Sequence, residues 1–310
     1  MQSDATTFSQ PAASSGQLSL LRMFGLALKA AVAPVAAMLK GSAAKIGSTI
    51  KGDKPRGCVT LVGAGPGDPE LLTIKALRAI EAADVILFDA LVSDAILKMA
   101  SGNAELICVG KRGGRPSCRQ DDINRLMVEY ASAGSHVVRL KAGDPAIFGR
   151  AGEEVSYLAA QGLEARIVPG ITAASAMASA FGISLTHRNH AKSVRFVTGH
   201  SKNGGLPEDL DWQAIADPSA TTVFYMGAPL AAEISERLIA LGMSEDTPVG
   251  VASSLSRQNQ KVASCQLKEL ESVVAKFDRS EPLVLGIGSV YAGTETIAAH
   301  CLPQSGYAVV

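Results

Sequence analysis

From Cys58 onward, short apolar runs alternate with segments whose apolar residues recur every three or four positions. That is the pattern of strands followed by amphipathic helices. Residues 59–62 read as a strand running into a glycine loop. Asp68 is placed to cap a helix, with Pro69 at its first position and Glu70 against its dipole. Leu71, Leu72, Ile74, Leu77 and Ile80 mark the stripe that this helix should bury. Further strands are expected at 85–88, ending at Asp89, and at 106–109, ending at Gly110-Lys111-Arg112. Two more are expected at 137–140 and at 165–168, the latter closed by Pro169-Gly170. Helices are expected at 121–133, with Ile123, Leu126, Met127 and Tyr130 in phase, and at 153–160. Residues 172–181 form a small-residue helix. Beyond it the pattern gives strands at 194–198, 222–225, 249–253, 261–265 and 283–288, and a helix at 231–241. The chain therefore reads as α/β, with a boundary near 170–180. The expected organisation is an extension over 1–57, domains over 58–170 and 171–291, and a tail over 292–310.

Two loops stand out. Leu140-Lys141-Ala142-Gly143-Asp144-Pro145-Ala146-Ile147-Phe148-Gly149-Arg150 follows an apolar run, so it lies where a parallel strand ends. Val62-Gly63-Ala64-Gly65-Pro66-Gly67-Asp68-Pro69 is again strand, glycine loop, Asp-Pro and helix. Ligands bind at the carboxyl edge of open α/β sheets, so the two loops suggest one pocket walled by two strand ends. Gly63-x-Gly65 invites a dinucleotide reading, but the third glycine of that fingerprint would fall at Asp68. A carboxylate there opposes a pyrophosphate at a helix N-terminus. The loop suits a neutral or cationic ligand better.

Apolar residues make up 47% of the 310, enough for a full core, and the formal net charge is zero. Nothing global points to nucleic acid or to an anionic membrane, so any site for a polyanion must be a local basic patch. Five cysteines, at 58, 108, 118, 265 and 301, form no C-x-x-C pair, which fits a reducing compartment. His187 and His190 lack a third ligand in view, so no metal is expected. Residues 1–57 set Asp4 and Asp53 against Arg22, Lys29, Lys40, Lys45, Lys51, Lys54 and Arg56. The apolar stretch 18–39 is broken by Arg22, Lys29 and Pro34, so stable membrane insertion is not expected. The extension is left open between a transit peptide, an amphipathic interfacial segment and a leader without function. The expected location is the cytoplasm, or an organelle matrix if 1–57 are a transit peptide.

The opening segment, Val62 to Thr73, resembles the signature of the tetrapyrrole (corrin/porphyrin) methyltransferases. Asp89-Ala90-Leu91-Val92-Ser93, Val109-Gly110-Lys111-Arg112, Arg139 to Glu154 and Val168-Pro169-Gly170-Ile171-Thr172-Ala173 follow in order. Leu185-Thr186-His187-Arg188, Val197-Thr198-Gly199-His200 and Phe224-Tyr225-Met226-Gly227 continue the series. Together, over about 58–291, they resemble the uroporphyrinogen-III C-methyltransferases. The 57 preceding residues are too few for a dehydrogenase–ferrochelatase module, so the likeness is to the monofunctional form. The resemblance implies a parallel-sheet N-terminal domain and a mixed-sheet C-terminal domain, with the cofactor in the cleft between. It implies methyl transfer from S-adenosylmethionine to C2 and C7 of uroporphyrinogen III, giving precorrin-2 for sirohaem or cobalamin synthesis. No metal is implied, and a homodimer is. Alternatives are another precorrin methylase of the same fold and a non-catalytic tetrapyrrole- or S-adenosylmethionine-binding protein.

Carried over residue by residue, the cofactor contacts fall on Pro66, Ala142, Gly143, Asp144, Ile147, Thr172, Ala173 and Met226. The proton acceptor and donor fall on Asp89 and Lys111. Arg112, Arg115, Arg150, His187 and Arg188 are candidates for the substrate carboxylates. The residues alone also allow Gly143-Asp144 as a tight turn, Met226 as a core methionine and Asp89 as a helix cap. The chain departs from the family pattern at Ala90, commonly Arg, at Ala142, usually Gly, at Ala146, usually Phe, and at Leu255, often Gly. Every motif lies after Cys58, so removing 1–57 should leave activity intact.

Overall fold

A computed structural model describes residues 57–110, 118–201 and 204–294. Two five-stranded sheets organise them. In the first, β1 (Cys58–Gly63), β2 (Val85–Phe88), β3 (Glu105–Cys108), β4 (His136–Lys141) and β5 (Ala165–Val168) lie in the order β3-β2-β4-β1-β5. Every pairing is parallel. The helices that follow these strands are α1 (Ile74–Glu81), α2 (Asp94–Leu97), α3 (Gln120–Ser132), α4 (Ala151–Ala160) and α5 (Ala173–Phe181). Because side chains alternate across a strand, consecutive residues feed opposite cores. Leu61, Leu87 and Val137 pack with Ile123, Met127 and Leu158 of α3 and α4. Val62, Ile86 and Val138 pack with Ala76, Ile80 and Ile96 of α1 and α2. This double burial explains the unbroken apolar runs.

In the second sheet, β6 (Ser193–Thr198), β7 (Ala220–Tyr225), β8 (Pro248–Ser253), β9 (Lys261–Gln266) and β10 (Leu283–Ile287) lie in the order β6-β7-β10-β8-β9. Only β6–β7 is parallel, so this sheet is mixed. One face packs on α6 (Trp212–Ile215), α7 (Ala231–Ala240) and α8 (Leu270–Val274). The other packs on Met177 and Phe181 of α5, with Tyr291. Gly250 and Gly286 pair across β8 and β10, and the Tyr291 ring fills the slot they leave. The parallel sheet followed by a mixed sheet is the fold class expected from the sequence.

The helix after the first glycine loop differs from expectation. Asp68 does accept a hydrogen bond from Glu70 N, at 2.9 Å, but it caps only a single 3₁₀ turn over Pro69–Leu71. Leu72 returns to extended backbone, and Thr73 caps α1 by accepting from Ala76 N at 3.1 Å. The buried stripe is therefore Ala76 and Ile80, while Ile74 is 68% exposed. At the other end, Thr294 is buried and bonds to Tyr291 O at 2.8 Å and to Ser264 Oγ at 2.6 Å.

The second sheet has an acid-sensitive tie. Asp217 accepts from Ser219 N and Oγ and pairs with Arg195 at 3.0 Å. These bonds hold its carboxyl down at about 2. Its contribution is fully present above the unfolded value near 3.9 and is lost as pH falls toward 2. Asp217→Asn should lower the melting temperature at pH 6 and leave it nearly unchanged at pH 2. An equal drop at both pH values would contradict this.

Candidate functional site

A cavity of about 700 Å³ opens where the strand ends of both sheets meet, within the usual range for small-molecule sites. From the first sheet it takes the loop after β1 (Gly65, Pro66), the loop after β4 (Ala142 to Asp144, Ile147, Phe148) and the start of α5 (Thr172, Ala173). From the second it takes His200, Tyr225, Met226 and Leu255, which follow β6, β7 and β8, and Leu283 and Val284 of β10. For the parallel sheet this is the carboxyl edge. All the positions assigned to the cofactor line this one cavity: Pro66, Ala142, Gly143, Asp144, Ile147, Thr172, Ala173 and Met226. Met226 is no core methionine. It holds a positive φ of 57° and is 48% exposed at the rim.

The cavity floor is made by backbones in close approach. Gly65 and Gly143 exchange two backbone hydrogen bonds, at 3.1 and 2.8 Å. Asp144 then fastens this floor with both carboxylate oxygens. Oδ1 accepts from Ala146 N at 2.7 Å, and Oδ2 accepts from Gly170 N at 3.0 Å. The turn reading of Asp144 and its place on the cavity wall therefore both hold.

Several cavity residues were not singled out from the sequence. Tyr225 Oη lies 2.5 Å from Thr172 Oγ1 and accepts from Ala174 N at 3.0 Å, tying the second sheet to α5. Burial raises this phenol above its ordinary value, against the two hydrogen bonds that lower it, so it stays neutral at physiological pH. The Phe148 and Phe196 rings flank Tyr225 at 5.1 and 5.9 Å between centroids. Arg257 crosses from the segment after β8 to the first glycine loop. It donates to Pro66 O at 3.4 Å and to Leu91 O. Beside it, Ser256 Oγ accepts from Asp68 N at 3.0 Å. Leu255, buried between two serines of positive φ, narrows the cavity on this side. Tyr225 and Phe148 lay inside quoted motifs, but Phe196 and Arg257 did not.

Asp89 directly follows β2, two residues before Leu91 of the lining, and its carboxylate binds buried Arg139. It is not a helix cap, because Ser93 caps α2. Lys111, Arg112 and Arg115 lie outside the described residues. Arg150 does not line the cavity, and its guanidinium pairs with Glu153 at 2.8 and 2.5 Å. His187 and Arg188 also do not line the cavity. They precede β6, where Lys192 N bonds Ser219 O and Ser289 Oγ bonds His190 O. The cavity takes His200 from beyond Thr198, at the other end of that strand. The motif Leu-Thr-His-Arg marks a turn, with the His187 and His190 rings tilted against each other at 4.5 Å between centroids.

Comparisons with known proteins agree with this geometry. The profile of the Tetrapyrrole (Corrin/Porphyrin) Methylases matches residues 58–271. A siroheme synthase of Pseudomonas aeruginosa is 50% identical over 234 residues, covering 76% of this chain and 50% of that protein. One from Pseudoalteromonas translucida is 46% identical over 237 residues, again 76% and 50%. The chain thus spans about half the length of the curated relatives it matches. Among solved structures, uroporphyrin-III C-methyl transferase from Thermus thermophilus, complexed with S-adenyl homocysteine, superposes with a TM-score of 0.65. It is 38% identical, and the match covers 76% of this chain and 98% of that one. A cobalt precorrin-4 methyltransferase gives a TM-score of 0.69 at 26% identity, with 78% and 99% covered. With the family profile covering most of the chain and the cavity built from the family's signature loops, the chain belongs to the tetrapyrrole (corrin/porphyrin) methylases.

Proposed function

We propose that this chain transfers methyl groups from S-adenosylmethionine to C2 and C7 of uroporphyrinogen III, giving precorrin-2. The observation that carries the reading is the convergence of Pro66, Ala142–Asp144, Ile147, Thr172, Ala173 and Met226 on one cavity. The likeness to the Thermus thermophilus enzyme, whose structure holds the demethylated donor, supports it. A sulfonium is already an activated methyl donor, so the chain needs no nucleophile of its own. Its work is to align donor and acceptor and to exclude water. The lining suits that task, because Leu255, Ile147, Ala173 and the aromatic group around Tyr225 are apolar. Phe148, Met226 and Leu91 expose apolar surface beside the cavity, a fitting bed for a flat macrocycle.

After transfer a proton must leave the macrocycle, and Asp89 is the proposed acceptor. Lys111 would hold a substrate carboxylate or return a proton, with Arg112, Arg115 and Arg150 as further carboxylate partners. His187 and Arg188 complete the proposed set, for carboxylates that extend beyond the cavity. The domains proposed for the enzyme are 58–170 and 171–291, the assembly a homodimer and the location the cytoplasm, or an organelle matrix if 1–57 direct import. Among the described residues no helix is long and apolar enough to cross a membrane.

Calorimetry tests the donor. S-adenosylhomocysteine should bind and NAD should not; the reverse would overturn the assignment. Asp144→Ala should lower both stability and S-adenosylhomocysteine affinity, each by about 1–3 kcal/mol, since two charge-assisted bonds are lost. Melting and titration of the same sample check it, and unchanged affinity would restrict Asp144 to a turn.

A further inference from the structure

We propose that Arg139 is a positioning residue that fixes the Asp89 carboxylate for proton removal. This rests on the methyl-transfer reading above. Arg139 sits in β4 and is 2% exposed, yet it carries a full charge. Four hydrogen bonds hold its guanidinium. Nε donates to Glu154 Oε1 at 3.2 Å, and Nη1 donates to Leu87 O and Leu140 O at 3.2 and 3.3 Å. Nη2 takes Asp89 Oδ1.

Glu154, fully buried on α4, is itself held. Lys141 Nζ reaches its two oxygens at 3.0 and 3.2 Å, and Gln120 Nε2 reaches Oε1 at 3.0 Å. Burial lowers the Lys141 ammonium below its ordinary value, helped by Arg139 and opposed by the two carboxylates. Two buried cations thus face one buried carboxylate, and Asp89, 31% exposed, supplies the second negative charge.

A network of this kind is a poor way to stabilise a core, because desolvating its ions costs about as much as their attraction returns. The neighbouring positions Val138 and Leu140 show that the same strand packs apolar residues elsewhere. The network instead leads outward. From Glu154 through Arg139 it ends at the partly exposed Asp89 carboxylate, two residues along the chain from Leu91 of the cavity lining. A planar guanidinium with four fixed bonds sets the direction of the carboxylate as well as its charge.

The test is a double-mutant cycle in the full chain, with uroporphyrinogen III as acceptor and S-adenosylhomocysteine as binding probe. Arg139→Lys keeps the charge and loses the planar fork. It should lower kcat about 10–100-fold, the scale of an ångström of misplacement, with S-adenosylhomocysteine affinity held within about twofold. In an Asp89→Asn background the same substitution should change kcat less than about twofold, because the group it positions is gone. Equal loss in both backgrounds, or a matching loss of S-adenosylhomocysteine binding, would reduce Arg139 to a structural part and overturn the proposal. Asp89→Glu, on the exposed side, is the second variant. It keeps a carboxylate but moves it one methylene out of register with Arg139, so kcat should fall similarly, and a wild-type rate would overturn the proposal. Wild-type protein that makes no precorrin-2 would overturn the functional reading itself, an outcome distinct from an active wild type with a neutral Arg139→Lys.

Discussion

Gly63→Ala should collapse the ligand cavity, with a stability loss of about 3 kcal/mol or more and no measurable binding of S-adenosylhomocysteine. A Cβ at this position would stand 2.5 Å from Gly170 N and 2.7 Å from Gly143 O. Gly170 is equally confined, its Cβ falling 2.3 Å from Gly143 O. The obstructing atoms are backbone, so no side chain can swing aside. Relief requires the loops after β1, β4 and β5 to part, and those loops carry Pro66, Asp144 and Thr172. Gly152→Ala is the control. That glycine lies in α4 with nothing within 4 Å of its Cβ, so helix propensity should make the change neutral or stabilising by up to about 1 kcal/mol. Thermal melts and calorimetry on the pair decide the point. A Gly63→Ala protein that melts and binds like wild type would show that the three loops are not locked together.

Asp89→Ala should lower turnover about 10²–10⁴-fold, the usual contribution of a placed general base, while donor affinity stays unchanged. The carboxylate is no part of the cavity lining, so the donor should not sense its loss. It stands at the end of β2, oriented by Arg139. Removal also leaves a buried guanidinium short of one partner, although Glu154 still holds Nε. Some fall in melting temperature is therefore expected, and turnover must be measured below it. Single-turnover methyl transfer, followed with saturating donor, separates the two effects. A wild-type rate in Asp89→Ala would mean that the proton leaves to water and that Asp89 serves only as the counter-ion of Arg139.

The glycine loops show both the reach and the limit of the sequence. Strand, glycine loop and Asp-Pro, read twice, correctly indicate one pocket at two strand ends. Asp68, read as a helix cap, caps a 3₁₀ turn. What the sequence could not give is the reason for the glycines. Gly63 and Gly170 let their backbones approach the Gly143 carbonyl, while Gly143 itself takes a positive φ of 69°. Local signals misled at Ile74, where the period of three and four ran on through a turn that Leu72 interrupts. His187 and Arg188 do not line the cavity; they stand before β6, where Ser289 Oγ bonds His190 O. The Arg139–Glu154–Lys141 network was hidden for another reason. Charged residues in a strand and a helix read as solvated surface, and only the packing of α4 against the first sheet buries them together.

Methyl stoichiometry tests the central claim most directly. The full chain is incubated anaerobically with uroporphyrinogen III and S-adenosylmethionine labelled in its methyl group, and the macrocycle is then isolated. The account predicts two labelled methyls per macrocycle, at C2 and C7, with two S-adenosylhomocysteine released. A macrocycle recovered without label from a chain that binds S-adenosylhomocysteine would contradict it.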